Sequence, residues 1–251
     1  MRLLLLSDIH SNLEALEACL AAAPAHDLVI NLGDMVGYGA SPNEVIARSL
    51  GLGNIFVRGN HDKAASGAMD LRDFNPIAGL AALWTRDQLI QKNLEWLRAL
   101  PRGPIQIADL PDMQFVHGSP VDEDEYVVTL RDAIEPLTVS ATPLTFFGHT
   151  HLQGSFSTND VASDAFRPEY RTIGQSETTE YPIKDGVRYM VNPGSVGQPR
   201  DGDWRAAFAL YDSDARIVTF CRVPYNLKQA QERIMAANLP QRLATRLATG
   251  R

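Results

Sequence analysis

The sequence predicts an α/β protein built on two central sheets with helices outside them. Three observations carry this. Within the first sixty residues, short apolar runs alternate with helix-period stretches in the order strand, helix, strand, the grammar of a βαβ sheet. A second set of short apolar runs begins near residue 105. No composition shift or linker divides the 251 residues, which are 45% hydrophobic and 21% charged. The chain is therefore expected to form a single domain over 1–251, with a helical insert near 73–100 and a variable excursion near 158–185.

The elements follow in order. Leu3 to Leu6 is a continuous apolar run, as in a strand buried on both faces. Ser11-Asn12-Leu13-Glu14 is a capping-box pattern that opens a helix through Ala23, closed by Pro24. Asp27 to Leu32 (DLVINL) is a second strand ending in Gly33-Asp34. A Gly- and Ser-rich loop leads to Pro42, a favoured first-turn residue, and to a helix through Leu50. Asn54 to Val57 reads as a third strand, ending in RGNHD. From Phe74 to Leu100 the pattern is one helical stretch, with Leu80, Leu83, Trp84, Leu94 and Leu97 as its apolar positions and Pro101 as its end. Ile105–Ile107 and Met113–Val116 form a hairpin across ADLPD, and Leu144–Phe147 and Arg188–Val191 are further strands. Ala206–Tyr211 and Arg216–Val223 form another hairpin around Asp212-Ser213-Asp214, and the tail from Asn226 is helical. Thr158 to Asp185 is polar and weakly patterned, either an excursion over the sheet or a mobile loop.

A formal net charge of -7 argues against a broad nucleic-acid footprint or attraction to an anionic membrane. Cys19 and Cys221 have no metal-type spacing and are too few for a disulfide scaffold, so reduced thiols and a cytoplasmic location are expected. The leucine run is shorter than the roughly 7–15 apolar residues of a signal peptide, and no stretch approaches the roughly 20 of a membrane span. Hairpin edges near the C-terminus offer a surface for pairing between chains.

The functional signal lies where the apolar runs end. There the chain places Asp8 and His10, Asp34, Asn60-His61-Asp62, His117, and His149-Thr150-His151; five of its six histidines are in these clusters. In an open α/β sheet such ends converge on one crevice. Burying so many ionisable groups together is costly without a partner. A metal offsets that cost, and a mix of carboxylate, amide oxygen and imidazole without thiolate suits Mn, Fe, Co, Ni or Zn. Asp8, His10, Asp34, Asn60, His117, His149 and His151 are too many donors for one ion, which points to two ions sharing a ligand.

DIH, GD, GNHD, VHG and GHTH, in this order and each ending an apolar run, resemble the calcineurin-like metallophosphoesterase superfamily. VNPGSVGQPRDGDWRAAFALYD is similar to the closing segment of its small bacterial phosphodiesterase-like members. The resemblance implies a four-layer α/β/β/α sandwich with two central mixed sheets. It also implies two divalent cations, manganese first and Fe, Zn, Ni, Co or Mg as alternatives. Asp8, His10 and His151 would bind one, Asn60, His117 and His149 the other, and Asp34 would bridge them. His61 and Asp62 would be the catalytic pair, His61 contacting the phosphate or leaving oxygen and Asp62 orienting its imidazole. A metal-bridging hydroxide would attack a small phosphoester substrate in line. Arg58 and Arg200 are further candidates for phosphate contact, because guanidinium forks match phosphate oxygens. Asn192-Pro193-Gly194-Ser195 is expected to shape the floor of the site.

The phosphoprotein phosphatase and dinucleoside-tetraphosphatase branch carries GDxxDRG and GNHE where this chain has GDMVGYG and GNHD. That departure favours small phosphodiesters. The alternatives are a phosphomonoesterase, either a nucleotidase or a phosphoprotein phosphatase, and a non-catalytic scaffold of the same fold, which would have no reason to keep every ligand. The helix after residue 73, with Asn75, Trp84 and Arg86, is either a specificity element over the site or an amphipathic helix on the sheet.

Overall fold

The computed structural model describes residues 1–52, 55–72, 74–159 and 161–251. The opening leucines divide between two cores. β1 (Arg2–Leu6) sends successive side chains to opposite faces. Leu3 and Leu5 enter the layer between two sheets, with Ile30, Phe115, Phe146 and Phe220. Leu4 and Leu6 face flanking helices through Leu16, Leu243 and Leu247. Burial on both sides is why the run shows no polar alternation, and each fully buried leucine contributes about 1.5–3 kcal/mol.

In the first sheet β1 pairs in parallel with β2 (Leu28–Asn31), and β2 with β3 (Ile55–Phe56). On its other side run β11 (Ala206–Asp212), β12 (Ile217–Val223) and β9 (Glu177–Pro182), all antiparallel. The second sheet has the order β4 (Ile105–Ile107), β5 (Leu110–Phe115), β6 (Leu144–Phe146), β10 (Arg188–Asn192), β7 (Gly154–Thr158) and β8 (Ser163–Phe166). Its β5, β6 and β10 are parallel. Helices α1 (Leu13–Ala22), α7 (Leu227–Ala236) and α8 (Gln241–Leu247) pack on the outer face of the first sheet, with α2 (Pro42–Leu50) beside them. On the second sheet α6 (Leu130–Val139) covers Val116, Phe147, Phe156 and Met190. The result is the four-layer α/β/β/α sandwich with two mixed sheets. Helices α3 (Asn60–Ser66), α4 (Pro76–Gln88) and α5 (Gln91–Arg98) lie beside Met35, Val36, Ile46 and Phe56.

Several elements differ from the sequence expectation. The stretch from Phe74 to Leu100 is two helices, because Leu89 and Ile90 adopt extended backbone between them. Leu80 and Leu83 are exposed, while α4 buries Ala78, Ala81 and Ala82, so its packed face carries small residues rather than leucines. Residue Asp73, the expected start of the insert, and Asn54, the expected start of the third strand, lie outside the described residues. The cap of α1 is Asn12, whose Oδ1 accepts from Ala15 N at 3.2 Å, and Glu14 instead pairs with Arg233. The turn between β4 and β5 is only Ala108-Asp109, since β5 already begins at Leu110. Helix α6 was hidden by Pro136 in its interior, although Thr129 and Asp132 cap its start reciprocally. Thr158 to Asp185 supplies an edge strand to each sheet. β8 pairs with β7, and β9 pairs with β12 in the other sheet. Edge strands face water, so their polar sequence carried no strand signal.

Among the described residues no helix is long and apolar enough to cross a membrane. Cys19 and Cys221 are buried free thiols. Leu5→Ala opens a cavity between the sheets and should cost about 2–5 kcal/mol in urea unfolding. Leu80→Ala, at a side chain 58% exposed, should change stability by no more than about 0.5 kcal/mol.

Candidate metal centre

The carboxyl ends of the parallel strands of both sheets open toward one edge of the sandwich. Asp8 and His10 follow β1, Asp34 follows β2, and Asn60 and His61 follow β3. From the second sheet come His117 after β5 and His149 and His151 after β6. The two sets touch directly. His149 N donates to Asp8 Oδ2 at 3.1 Å, and Ser7 Oγ donates to the same oxygen at 2.6 Å. Gly148 must be glycine, because a Cβ there would stand 2.0 Å from Ser7 Oγ. Gly59 is constrained likewise: its Cβ would stand 2.1 Å from Asp34 Oδ1.

The donor atoms fall into two groups. Asp8, His10, Asp34 and His151 form one and Asp34, His117 and His149 the other, each with its atoms within 4.8 Å of one another. Asp34 Oδ2 is common to both, 3.7 Å from His10 Nε2 and 3.5 Å from His117 Nε2. Asn60 Oδ1 joins the second group, 3.3 Å from His117 Nε2. The Nε2 atoms of His10 and His151 face each other at 3.1 Å, with His151 Nε2 3.3 Å from Asp8 Oδ1.

The ring nitrogens turned away from these groups are held by backbone carbonyls. His10 Nδ1 bonds Val36 O at 3.1 Å, His117 Nδ1 bonds Leu32 O at 2.8 Å, and His151 Nδ1 bonds Gln198 O at 2.5 Å. His149 is reversed: Nε2 bonds Asp124 O at 3.0 Å, and Nδ1 is buried with no partner. Asp8 Oδ1 is a second buried atom with no hydrogen bond. Such carbonyls fix the tautomer and leave the other nitrogen free to ligate. Orphaned carboxylate and imidazole atoms, aimed into one buried polar cluster without thiolate, fit a borderline divalent cation.

Backbone strain marks the same residues. Asp8, His10, Asp34, His149 and His151 all have positive φ, between 49° and 66°. Non-glycine residues in this region cost about 1–3 kcal/mol each and cluster at functional sites. Asn192 Nδ2 holds Gly148 O at 2.7 Å, and Ser195 Oγ holds Asp8 O at 2.8 Å, so the Asn192–Ser195 turn braces the loops carrying these donors.

Electrostatics follow from burial and mixed charge. Burial opposes ionisation of Asp8 and Asp34, but the imidazoles beside them, His151 for Asp8 and His117 for Asp34, hold both well below the usual carboxylate range. Burial lowers His10 and His151, and pushes His149 down to about 3 and His61 to about 4. His117 is the exception. Burial disfavours its charge, yet the Asp34 carboxylate outweighs that and raises it to about 10.

His61 is the second residue of α3, and its ring packs against Tyr38 at 4.3 Å, His10 at 4.8 Å and Phe74 at 5.1 Å between centres. The expected contact from Asp62 to this imidazole is not made. Asp62 instead accepts the backbone N–H groups of Asp34, Met35, Val36 and Gly59 at 2.9–3.3 Å. Its carboxylate therefore fixes the turn that carries Asp34 and leaves His61 Nδ1 without a partner. A carboxylate at the third position of a helix finds free backbone donors closer than a neighbouring ring.

The arginines separate. Arg58 forms a bidentate pair with Glu123, both bonds 2.8 Å, so its fork is committed to the 118–125 loop. Arg200 stands beside the site: its N–H reaches His151 O at 3.4 Å and its Nη2 the Tyr38 hydroxyl at 3.3 Å. Arg86 turns away, donating to Ala64 O and Ala65 O at the carboxyl end of α3, while Phe74 and Asn75 at the start of α4 overhang the site.

A cavity of about 220 Å³ opens here, lined by Asn60, His61, Phe74, Tyr126 and His149 among others. Tyr126, whose ring centre is 3.9 Å from that of His149, had no sequence signal. Tyr38 had a weak one, as a bulky residue inside the glycine-rich GYG.

Residues 1–216 match the family model described as the calcineurin-like phosphoesterase superfamily domain. The uncharacterized protein MJ0912 of Methanocaldococcus jannaschii is 33% identical over 98% of this chain and 97% of its own. The crystal structure of a metallophosphoesterase from Sphaerobacter thermophilus is 40% identical, covering 100% of this chain and 99% of that one, with a TM-score of 0.84. The hypothetical protein PH1004 of Pyrococcus horikoshii OT3 shares the fold at 21% identity and a TM-score of 0.78, over 100% of this chain and 98% of that one.

Two measurements test the electrostatics. An imidazole must be neutral to ligate, so Mn²⁺ loading at pH 7 should displace the His117 proton and add about one proton to the release read from the buffer dependence of the binding heat. His117→Asn should lower that release. Glu123 is held down to about 2, first by its hydrogen bonds to Arg58 and then by Lys63. Its folded value lies below the ordinary 4.5, so its contribution is present above pH 4.5 and is lost as pH falls toward 2. Glu123→Gln should flatten the acid limb of a melting-temperature profile in that window.

Proposed function

The chain belongs to the calcineurin-like phosphoesterase superfamily, and from this we propose that it is a dinuclear-metal-dependent hydrolase of small phosphodiesters. The observation that carries the reading is one carboxylate oxygen, Asp34 Oδ2, common to two groups of donors. Asp8, His10 and His151 would hold one divalent ion, and Asn60, His117 and His149 the second, with Asp34 shared between them. Manganese is the proposed metal, with Fe, Zn, Ni, Co and Mg as the other ions such donors accept. Two ions bound there supply positive charge for phosphoryl oxygens and a water activated at neutral pH.

The chain's own residues do the rest. His61 is neutral at pH 7, because burial keeps it near 4. Its imidazole lines the cavity and serves as a hydrogen-bond donor to the phosphoryl or leaving oxygen. Asp62 acts one step back, as a positioning residue that pins the Asp34 turn. Arg200 stands by for a phosphate oxygen, while Arg58 braces the loop that presents the Asp124 carbonyl to His149. Phe74 and Tyr126 give the cavity an apolar wall for the alcohol part of an ester. The buried free thiols agree with a reducing cytoplasm. A phosphomonoesterase is the second reading; it uses the same donors, and the nearby Arg200 suits the extra charge of a monoester.

The test is chelator-stripped protein given Mn²⁺, Ni²⁺, Zn²⁺ or Mg²⁺ and assayed on bis-p-nitrophenyl phosphate beside p-nitrophenyl phosphate. Diester cleavage should depend on metal and dominate. Asp34→Asn should lose bound metal by elemental analysis together with activity. His61→Ala should keep its metal while kcat falls about 10²–10⁴-fold. Dominant monoester cleavage would move the function to the second reading, and tight metal binding without activity on either ester would overturn both for these substrates.

A further inference from the structure

The cavity over His61 continues into a larger cleft of about 550 Å³, the two sharing Tyr38, Asn75, Ala78 and Tyr126 as walls. The far wall is α8, which contributes Arg242 and Arg246, with Arg200 on the near side. Positions four apart on a helix share one face, and α8 is held in place by buried Leu243, Ala244 and Leu247 on the other. Among the described residues no acidic side chain lines this cleft, although the chain carries a net charge of -7.

Among the described residues the hydrogen bonds of these guanidiniums go to no acidic side chain. Arg200 reaches the neutral oxygens of Tyr38 and Gln198, and Arg246 reaches the main-chain oxygen of Arg251, the last residue, whose one carboxylate charge is shared among three guanidiniums. The ion pairs among the described residues use other arginines, Arg48, Arg205, Arg222 and Arg233 among them. Arg200 Nε is buried without a partner. Burial and the charges of Arg200 and Arg242 depress Arg246, as expected where guanidiniums are gathered. Tyr38 sits between the two regions: its ring centre is 4.3 Å from that of His61 and 5.7 Å from the Arg246 guanidinium carbon. The Arg200 guanidinium carbon lies 5.9 Å from the same ring. One tyrosine ring therefore separates the candidate metal centre from a cluster of guanidiniums that no acidic side chain among the described residues pairs.

We propose that the cleft beyond Tyr38 and Arg200, walled by Arg242 and Arg246, binds a second anionic group of the substrate, so that the preferred diester also carries a terminal phosphate. Resting on the phosphodiesterase reading above, the proposal narrows the substrate class to phosphodiesters with a phosphomonoester one sugar-sized unit away. Guanidinium forks match phosphate oxygens two at a time, and the fixed α8 face makes that recognition geometric.

The experiment compares thymidine 5′-(p-nitrophenyl phosphate) with the same ester bearing a 3′-phosphate, in Mn²⁺-loaded wild type and in the Arg242→Gln/Arg246→Gln double variant. Calorimetry with thymidine 3′,5′-bisphosphate and thymidine 5′-monophosphate runs beside it, and thermal melts check that the variant is folded. The 3′-phosphate should lower KM at least about tenfold in the wild type, as expected for charge-assisted hydrogen bonds to a phosphate. In the variant that preference should collapse toward unity in both KM and binding. Equal treatment of the two esters by the wild type, or a preference that survives in the variant, overturns the proposal while leaving the phosphodiesterase reading intact. Uncleaved esters with a bisphosphate preference that the variant loses would overturn the activity and sustain the anion site.

Discussion

Two ionised carboxylates, Asp8 and Asp34, are buried at the junction of the two sheets, and the surrounding structure is organised by the need to compensate them. Charge out of water is expensive unless paired and hydrogen-bonded. Each carboxylate has one oxygen occupied by the protein. Asp8 Oδ2 takes the Ser7 hydroxyl and the His149 N–H, and Asp34 Oδ1 takes the His61 N–H at 2.8 Å. The other oxygens, Asp8 Oδ1 and Asp34 Oδ2, face imidazoles across distances of 3.3–3.8 Å. That division of labour gives each acid an anchored half and a half free for a cation.

Strain accompanies this compensation. Five of the candidate donors have positive φ, so the chain holds them in a conformation that costs free energy wherever a side chain has a Cβ. The cost is carried by neighbouring turns with few alternatives. Asp62 gathers four backbone N–H groups, and Ser195 and Asn192 tie down Asp8 O and Gly148 O. The arginines at the end of α3 act in the same sense: Arg86 and Arg98 donate to carbonyls of Ala64, Ala65 and Ser66, where a helix has acceptors to satisfy. Residues distant in sequence thus stiffen the helix that begins with Asn60 and His61.

Much of the fold was legible because burial writes itself into composition. The β1 leucines and the LVIN core of DLVINL read as doubly buried strands, and both are strands, buried from Leu3 to Leu6 and from Val29 to Asn31. The elements that escaped notice lacked that imprint. β8 and β9 are exposed edges, β7 is the small and polar run Gly154–Thr158, and α6 contains a proline, so none presents the apolar period on which a sequence reading relies. The clustering of the candidate donors was legible for a related reason: ionisable side chains ending apolar runs are rare enough to stand out. The contact that the resemblance implies from Asp62 to the His61 imidazole is not made, because backbone donors lie closer to that carboxylate than the ring does.

The sequence by itself determined the class of the fold, the membership of the polar cluster and the chemistry those side chains favour, since these follow from residue type and order along the chain. Tertiary structure alone decided which nitrogen of each imidazole is free, because the carbonyls of Leu32, Val36, Asp124 and Gln198 that set the tautomers are anonymous in any sequence. It also decided that Arg58 is committed to Glu123, and that Tyr38 stands between His61 and the α8 arginines nearly two hundred positions away. The physical reason is the same throughout. Apolar burial is nearly non-directional and survives in composition, whereas hydrogen bonds and charge pairs act at specific distances and angles that exist only once the chain has folded.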